Sequence, residues 1–296
     1  MIATVSKLEM KPSHADFENI TPAKAEQFLK TMVGNRPVSE TKKWEYAYAI
    51  DEGRWSLNGE SLKFDSQGRM FDGQHRCLAC ILADKPFITY VTRGISDENA
   101  FSTVDTGKTR THADIFGIAG WQNNKTASGA AMLVYAYQNK RLSIGGVTGR
   151  LLRKDSPLAA KMVRRPNAGV VSREELIEFA TDIGEELQAA VRFANSSKAA
   201  RVMPATTVAG LYYLFRERAR YEADRFFTDL GEGVGLQKID PVYVLREKLL
   251  VSKTSKAKLT RWAQIAFTIK AWNARRNNDS MHTLRMVEGE KFPVIK

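Results

Sequence analysis

Cysteine is scarce in this 296-residue chain: there are two, Cys77 and Cys80. Two thiols at this length make no disulfide framework. The four histidines, at positions 14, 75, 112 and 282, show no ligand spacing. With a lone Cys77-x-x-Cys80 inside an apolar stretch, that argues against zinc and thioredoxin chemistry and for buried core thiols. Long apolar runs are missing too. Runs such as Cys77–Ala83 (CLACILA) are far too short to span a bilayer, and the first ten residues lack the apolar stretch of a signal peptide. Neither G-x-S-x-G nor H-E-x-x-H occurs, which removes two common hydrolase classes. There is no internal repeat and no low-complexity tract. These absences lead to the expectation of a soluble cytoplasmic protein with no membrane partner.

What is present supports a folded chain. Apolar residues make up 43%, with 14 Phe, 9 Tyr and 5 Trp, enough for one large domain or two modest ones. Charge is distributed unevenly. Residues 1–120 hold 15 Lys+Arg against 16 Asp+Glu, a net of −1, while residues 121–296 hold 30 against 17, a net of +13. A positive excess confined to one part of the chain points to a polyanion, with nucleic acid (DNA) the leading candidate. A solvated basic surface would look the same.

Periodicity changes along the chain in step with charge. Thr21-Pro22 opens a helix to about Met32, and Ser39 caps a second through WEYAYAI, stopped at Gly53. Trp44 and Tyr48 share a face at i,i+4 and are expected in the core, and Tyr46 and Trp55 are expected to pack the same domain. The runs SLKF and RMF, joined by Asp65-Ser66-Gln67-Gly68, read as a hairpin. Gln74–Ala83 reads as a helix, FITYVT (Phe87–Thr92) as a strand, and Ser96-Asp97 as the start of a short helix. After about Gly120 only helical patterns recur: Lys125–Asn139, Arg173–Ala180 behind the capping box Ser172-x-x-Glu175, Glu185–Ala194, Ala205–Ala219, Arg220–Leu230, Val242–Leu250 and Leu259–Asn277. The expected fold class is α+β: a mixed domain over 1–120, then an all-helical basic domain over 121–296.

The densest polar cluster is Phe71-Asp72-Gly73-Gln74-His75-Arg76-Cys77. A strand is expected to end at its start and a helix to begin at about Gln74. Free N–H groups and the helix dipole make such a junction an anion site. Gly73 lets a phosphate approach the backbone, and His75 and Arg76 supply donors, Arg76 in a fork. Asp72 repels phosphate; it suits a metal ligand, a general base or an orienting partner of His75 or Arg76. A capped turn with two surface side chains is the plainer alternative.

FDGQHR resembles the phosphate-binding signature of the ParB/sulfiredoxin-like fold. Sulfiredoxins carry FGGCHR at this strand–turn–helix junction, ParB proteins carry a G-E-R-R type motif, and DGQHR-domain proteins share the string itself, among them a component of DNA phosphorothioation systems. The stretch from Trp55 to about Phe116 is similar to uncharacterised phage and prophage proteins with a ParB-like domain. The resemblance covers about residues 15–120. It implies a ParB/sulfiredoxin-like first domain with Gly73, Gln74, His75 and Arg76 at the phosphate, a nucleoside triphosphate as ligand and Mg²⁺ as a companion. Gln74 stands where sulfiredoxin has its reactive cysteine, so sulfiredoxin chemistry is not expected.

Asp105-Thr106-Gly107-Lys108-Thr109-Arg110-Thr111 is a second anion-type arrangement before an expected helix (Thr111–Ile118). Only the GKT of a P-loop is present. The phage proteins that the chain resembles carry a D-x-G-x-x-R element at this distance, and the resemblance implies that Lys108, Arg110 and Thr111 close over the same phosphates, with Asp105 available to a metal. A turn beside a helix cap fits equally well. In the second part the basic residues Arg150, Arg153, Lys154, Arg164, Arg165, Lys256, Lys258, Arg261, Arg275 and Arg276 are candidates for backbone contacts to DNA, without a clean helix-turn-helix pair.

Three functions remain open at this point. One is a phage or mobile-element DNA-associated protein with a nucleotide-binding first domain, located in the bacterial host's cytoplasm. Another is a metal-dependent NTPase, nuclease or phosphotransferase with Asp72 and His75 as catalytic residues. The third is a protein-binding inhibitor or adaptor. A homo-oligomer is compatible with each.

Overall fold

A computed structural model describes residues 13–33, 37–96, 110–143, 146–147, 171–255, 258–287 and 290–296. The chain divides into two compact units, the first within Met1–Lys108 and the second built on Thr109–Thr148 and Val170–Lys296. The fold is mixed α/β, with a four-stranded sheet and eleven α-helices among the described residues. No helix among them is long and apolar enough to cross a membrane.

The first unit runs β1 (His14–Ile20), α1 (Pro22–Lys30), α2 (Glu40–Asp51), β2 (Ser61–Asp65), β3 (Met70–Asp72), α3 (Gln74–Ala83) and β4 (Phe87–Ile95). Its sheet has the order β1-β4-β2-β3, with β4 and β2 parallel and the two outer pairs antiparallel. The Thr21 hydroxyl caps α1, with Pro22 in its first turn, and the Ser39 hydroxyl caps α2. Gly68 turns the β2–β3 hairpin at φ +76°. Leu62, Phe64, Phe87 and Val91 face the helices and meet Ala25, Trp44, Tyr48, Cys77 and Cys80 in one core. Trp44 and Tyr48 are both buried, with ring centroids 5.9 Å apart. Trp55 lies edge-on to Phe87 at 4.9 Å and donates its indole N–H to the Ile88 carbonyl at 3.0 Å. The expected packing of these aromatics holds.

Strand β1 has no counterpart in the sequence reading. HADFENI carries little apolar character, and only Ile20 in it is buried. It forms because β4 supplies a full antiparallel ladder from His14↔Arg93 to Ile20↔Phe87.

The second unit contains α4 (His112–Ile118), α5 (Asn124–Gln138), α6 (Arg173–Asp182), α7 (Gly184–Ser196), a 3₁₀ turn (Lys198–Arg201), α8 (Ala205–Arg216), α9 (Arg220–Glu232), α10 (Pro241–Thr254) and α11 (Arg261–Arg276). Helix α4, expected in the first domain, belongs here, with Phe116 in this core. The unit is not wholly helical: Leu142–Ser143 and Gly146–Val147 form a short antiparallel ladder, β5–β6. Helix α8 is the centre, buried continuously from Thr207 to Phe215. It meets α5 closely because a side chain on Gly210 would come within 2.6 Å of Leu133, and one on Gly129 within 2.8 Å of Thr206. Stacked rings, Phe215 on Trp272 at 4.2 Å and Phe193 on Tyr212 at 3.8 Å, fill the space around it. The expected short helix at Ser96-Asp97 lies outside the described residues beyond Ser96.

Candidate functional site

The FDGQHR segment has the expected local form. Strand β3 ends at Asp72, Gly73 is the N-cap, and α3 starts at Gln74. Gly73 is required twice over. Its φ of +110° lies in the region that favours glycine, and a Cβ there would stand 2.3 Å from Leu62 Cδ2. A glycine cap has no side chain to satisfy the N–H groups of the first turn, and α3 has no side-chain cap bond.

The polar side chains are distributed around this start. Asp72 faces Lys63 across the β2–β3 ladder and accepts from its Nζ at 2.7 Å. One turn on, Arg76 reaches back to the same carboxylate oxygen at 3.4 Å and donates to the Ser61 carbonyl at 2.8 Å. Two cations thus share one carboxylate, leaving a local excess of one positive charge at a helix start. Arg76 is only 9% exposed, and its Nη1 has no hydrogen-bond partner among the described residues. The buried Gln74 Oε1 has none either. One is a donor and the other an acceptor. His75 is buried and accepts from the Ser39 backbone N–H through Nε2 at 2.9 Å, so that nitrogen is unprotonated and ties α3 to the start of α2.

The two residues read as candidate catalysts are therefore both engaged. Asp72 is held by Lys63 and Arg76, and His75 Nε2 by Ser39. No cluster of His, Cys, Asp and Glu among the described residues is arranged to hold a metal ion. Asp105 and Lys108 lie outside the described residues. Arg110 is exposed, and Thr111 caps α4. The Thr111 hydroxyl and N–H both donate to Asp114, at 2.8 and 2.7 Å, and Asp114 N–H donates to the hydroxyl at 3.2 Å. That closed capping box uses the groups a phosphate would need.

Cys77 and Cys80 are free and buried. Burial pushes both thiols up to about 12, so they are core residues and poor nucleophiles.

The basic candidates divide. Arg150, Arg153, Lys154, Arg164, Arg165 and Lys256 lie outside the described residues. Lys258 is exposed. Arg275 pairs with Asp229 at 2.6 Å and Asp240 at 3.5 Å, bracing α9, α10 and α11. Arg276 pairs with Glu222 at 2.6 Å and donates to the Lys296 carbonyl at 2.6 Å. These two are taken up by the fold. Arg261 donates to the Gly129 carbonyl at 3.2 Å and lies over the Trp262 ring; burial lowers its pKa, and its Nε has no partner among the described residues.

No protein-family model matches the chain, and no curated protein or solved structure is significantly similar to it.

Proposed function

We propose that the first unit is a nucleotide-binding module whose phosphate sits at the Gly73–Arg76 start of α3, and that the basic second unit contacts nucleic acid. One observation carries the first half. A glycine-led, uncapped helix start stands beside two buried polar atoms that lack partners among the described residues, a donor on Arg76 and an acceptor on Gln74. A bare anion satisfies the guanidinium alone. A nucleoside triphosphate offers phosphate oxygens to Arg76, and waters on the Mg²⁺ that accompanies it would offer donors to Gln74. The local charge excess from Lys63 and Arg76 over Asp72 acts in the same direction.

The ParB/sulfiredoxin-like reading of this unit rests on the motif and on its strand–glycine–helix setting. A role in the DNA transactions of a phage or mobile element follows from that resemblance together with the charge asymmetry. Binding is favoured over metal-dependent catalysis because Asp72 and His75 already have partners. A Mg²⁺ ion would accompany the triphosphate as part of the ligand.

The experiment is a thermal-shift and calorimetric screen of the full chain against the common nucleoside triphosphates, with and without Mg²⁺. Saturable binding that Arg76→Ala removes supports the reading. No binding by the intact chain, with Arg76→Ala merely lowering the melting temperature, would reduce Arg76 to a brace for the turn.

A further inference from the structure

The sheet of the first unit has two unlike faces. Leu62, Phe64 and Val91 point to the helices, with Phe64 edge-on to Phe28 of α1 at 4.8 Å. Residues in register across neighbouring strands share a face. Phe17 pairs with Tyr90, Tyr90 with Ser61, Thr92 with Lys63, and Lys63 with Asp72. The face turned away from the helices therefore carries, in order from β1 to β3, an exposed aromatic pair, the buried Ser61 and the part-buried Lys63–Asp72 ion pair. Phe17 is 58% exposed, Ile88 45% and Tyr90 36%. The rings of Phe17 and Tyr90 meet edge to face, with centroids 5.7 Å apart.

We propose that this outward face holds the base of the nucleotide, stacked on Tyr90 and Phe17, while the phosphates reach Lys63 and the start of α3. The inference rests on the nucleotide reading above and names where the rest of that ligand lies. Two strand spacings and two residues along a strand separate Asp72 from Tyr90, about 12 Å between backbone positions. A nucleoside carrying a chain of phosphates spans such a gap.

The composition of the face selects this occupant. Among the described residues its exposed apolar part comprises Phe17, Ile88 and Tyr90, too little for a stable protein interface. The face then becomes polar and cationic towards β3, where Lys63 and Arg76 outnumber Asp72. A flat ring at one end and anionic oxygens at the other match that gradient. Base stacking on aromatic side chains tolerates any base, so weak discrimination among the four nucleotides is expected.

A cross-strand aromatic pair can also act only to hold β1 on the sheet. The experiment separates the two roles. Binding of each nucleoside triphosphate and of inorganic triphosphate is measured on the full chain and on Tyr90→Ala, Phe17→Ala and Tyr90→Phe, with melting temperatures recorded in parallel. Tyr90→Ala should weaken every nucleotide by about 5- to 150-fold while leaving inorganic triphosphate unchanged, and Tyr90→Phe should keep nearly full affinity. If nucleotides bind but Tyr90→Ala and Phe17→Ala leave their affinity unchanged, the base site falls and the phosphate site stands. An equal loss of nucleotide and inorganic triphosphate, or a change in oligomeric state with no selective loss of nucleotide, also overturns the base site. If the intact chain binds neither ligand, the phosphate site falls, and the base site with it.

Discussion

Two helix starts in this chain have the same kind of sequence and opposite outcomes. Asp72-Gly73-Gln74-His75-Arg76 and Gly107-Lys108-Thr109-Arg110-Thr111 both place glycine and cations at a helix start, and both read as anion sites. At α4 the helix closes on itself: Thr111 and Asp114 satisfy each other's donors and acceptors in a capping box. At α3 glycine supplies no cap, and the nearest polar side chains leave a donor and an acceptor without partners among the described residues. The lesson is that a basic, glycine-containing helix start is a ligand site only if no side chain of its own has taken the place of the ligand.

The largest expected effect lies at Gly73. An alanine there meets the Leu62 side chain and must hold a positive φ. Left-handed strain and overpacking together are expected to cost about 2–5 kcal/mol, read by urea denaturation monitored through the first unit. Gly68 also has a positive φ, but with open space around it, so Gly68→Ala is expected to cost only about 1–2 kcal/mol. Equal losses at the two positions would show that Leu62 does not crowd Gly73.

Arg76 comes next. A charge-assisted hydrogen bond contributes about 1.5–3 kcal/mol, so Arg76→Ala should weaken nucleotide binding about 10- to 100-fold. Arg76→Lys keeps the charge without the fork and should lose part of this. Calorimetry on both variants, set beside their melting temperatures, tells ligand contact from turn bracing. Unchanged affinity in Arg76→Ala would sink the site.

Thr111→Ala tests the other half of the comparison. Loss of a cap costs about 1 kcal/mol. The second unit should melt a few degrees lower, with nucleotide affinity unchanged. A loss of affinity without a loss of stability would reinstate Thr111 as a ligand contact.

Much of this was legible in the sequence because it is local. Helix α3 begins at Gln74 and ends at Ala83 as the apolar pattern Cys77, Leu78, Ile81, Leu82 implies, and Thr21, Ser39 and Ser172 cap their helices as their positions suggest. The illegible parts depend on distant partners. Strand β1 is specified by its ladder to β4, not by burial. Asp72 reads as a candidate base until Lys63 is seen opposite it, which needs the hairpin register. Arg275 and Arg276 read as a basic cluster until Asp229, Asp240 and Glu222 arrive from other helices, 46, 35 and 54 residues away.

That last difference supports the smallest effect in the series. Lys258 and Arg275 look alike in sequence, yet the first is exposed and the second is held by two carboxylates. If the second unit contacts nucleic acid through its backbone, affinity falls with salt in proportion to the number of phosphates neutralised. Lys258→Ala should then lower the slope of log affinity against log salt by about one, with affinity a few-fold weaker and the melting temperature unchanged. Arg275→Ala should do the reverse. Its pairs are largely shielded from solvent, so the substitution should cost about 1–2 kcal/mol of stability and leave the salt slope alone. Duplex binding measured from low to physiological salt on both variants decides the matter. A slope unchanged in Lys258→Ala would remove Lys258 from the contact surface, and a slope lowered by Arg275→Ala would mean that its ion pairs open to admit a phosphate.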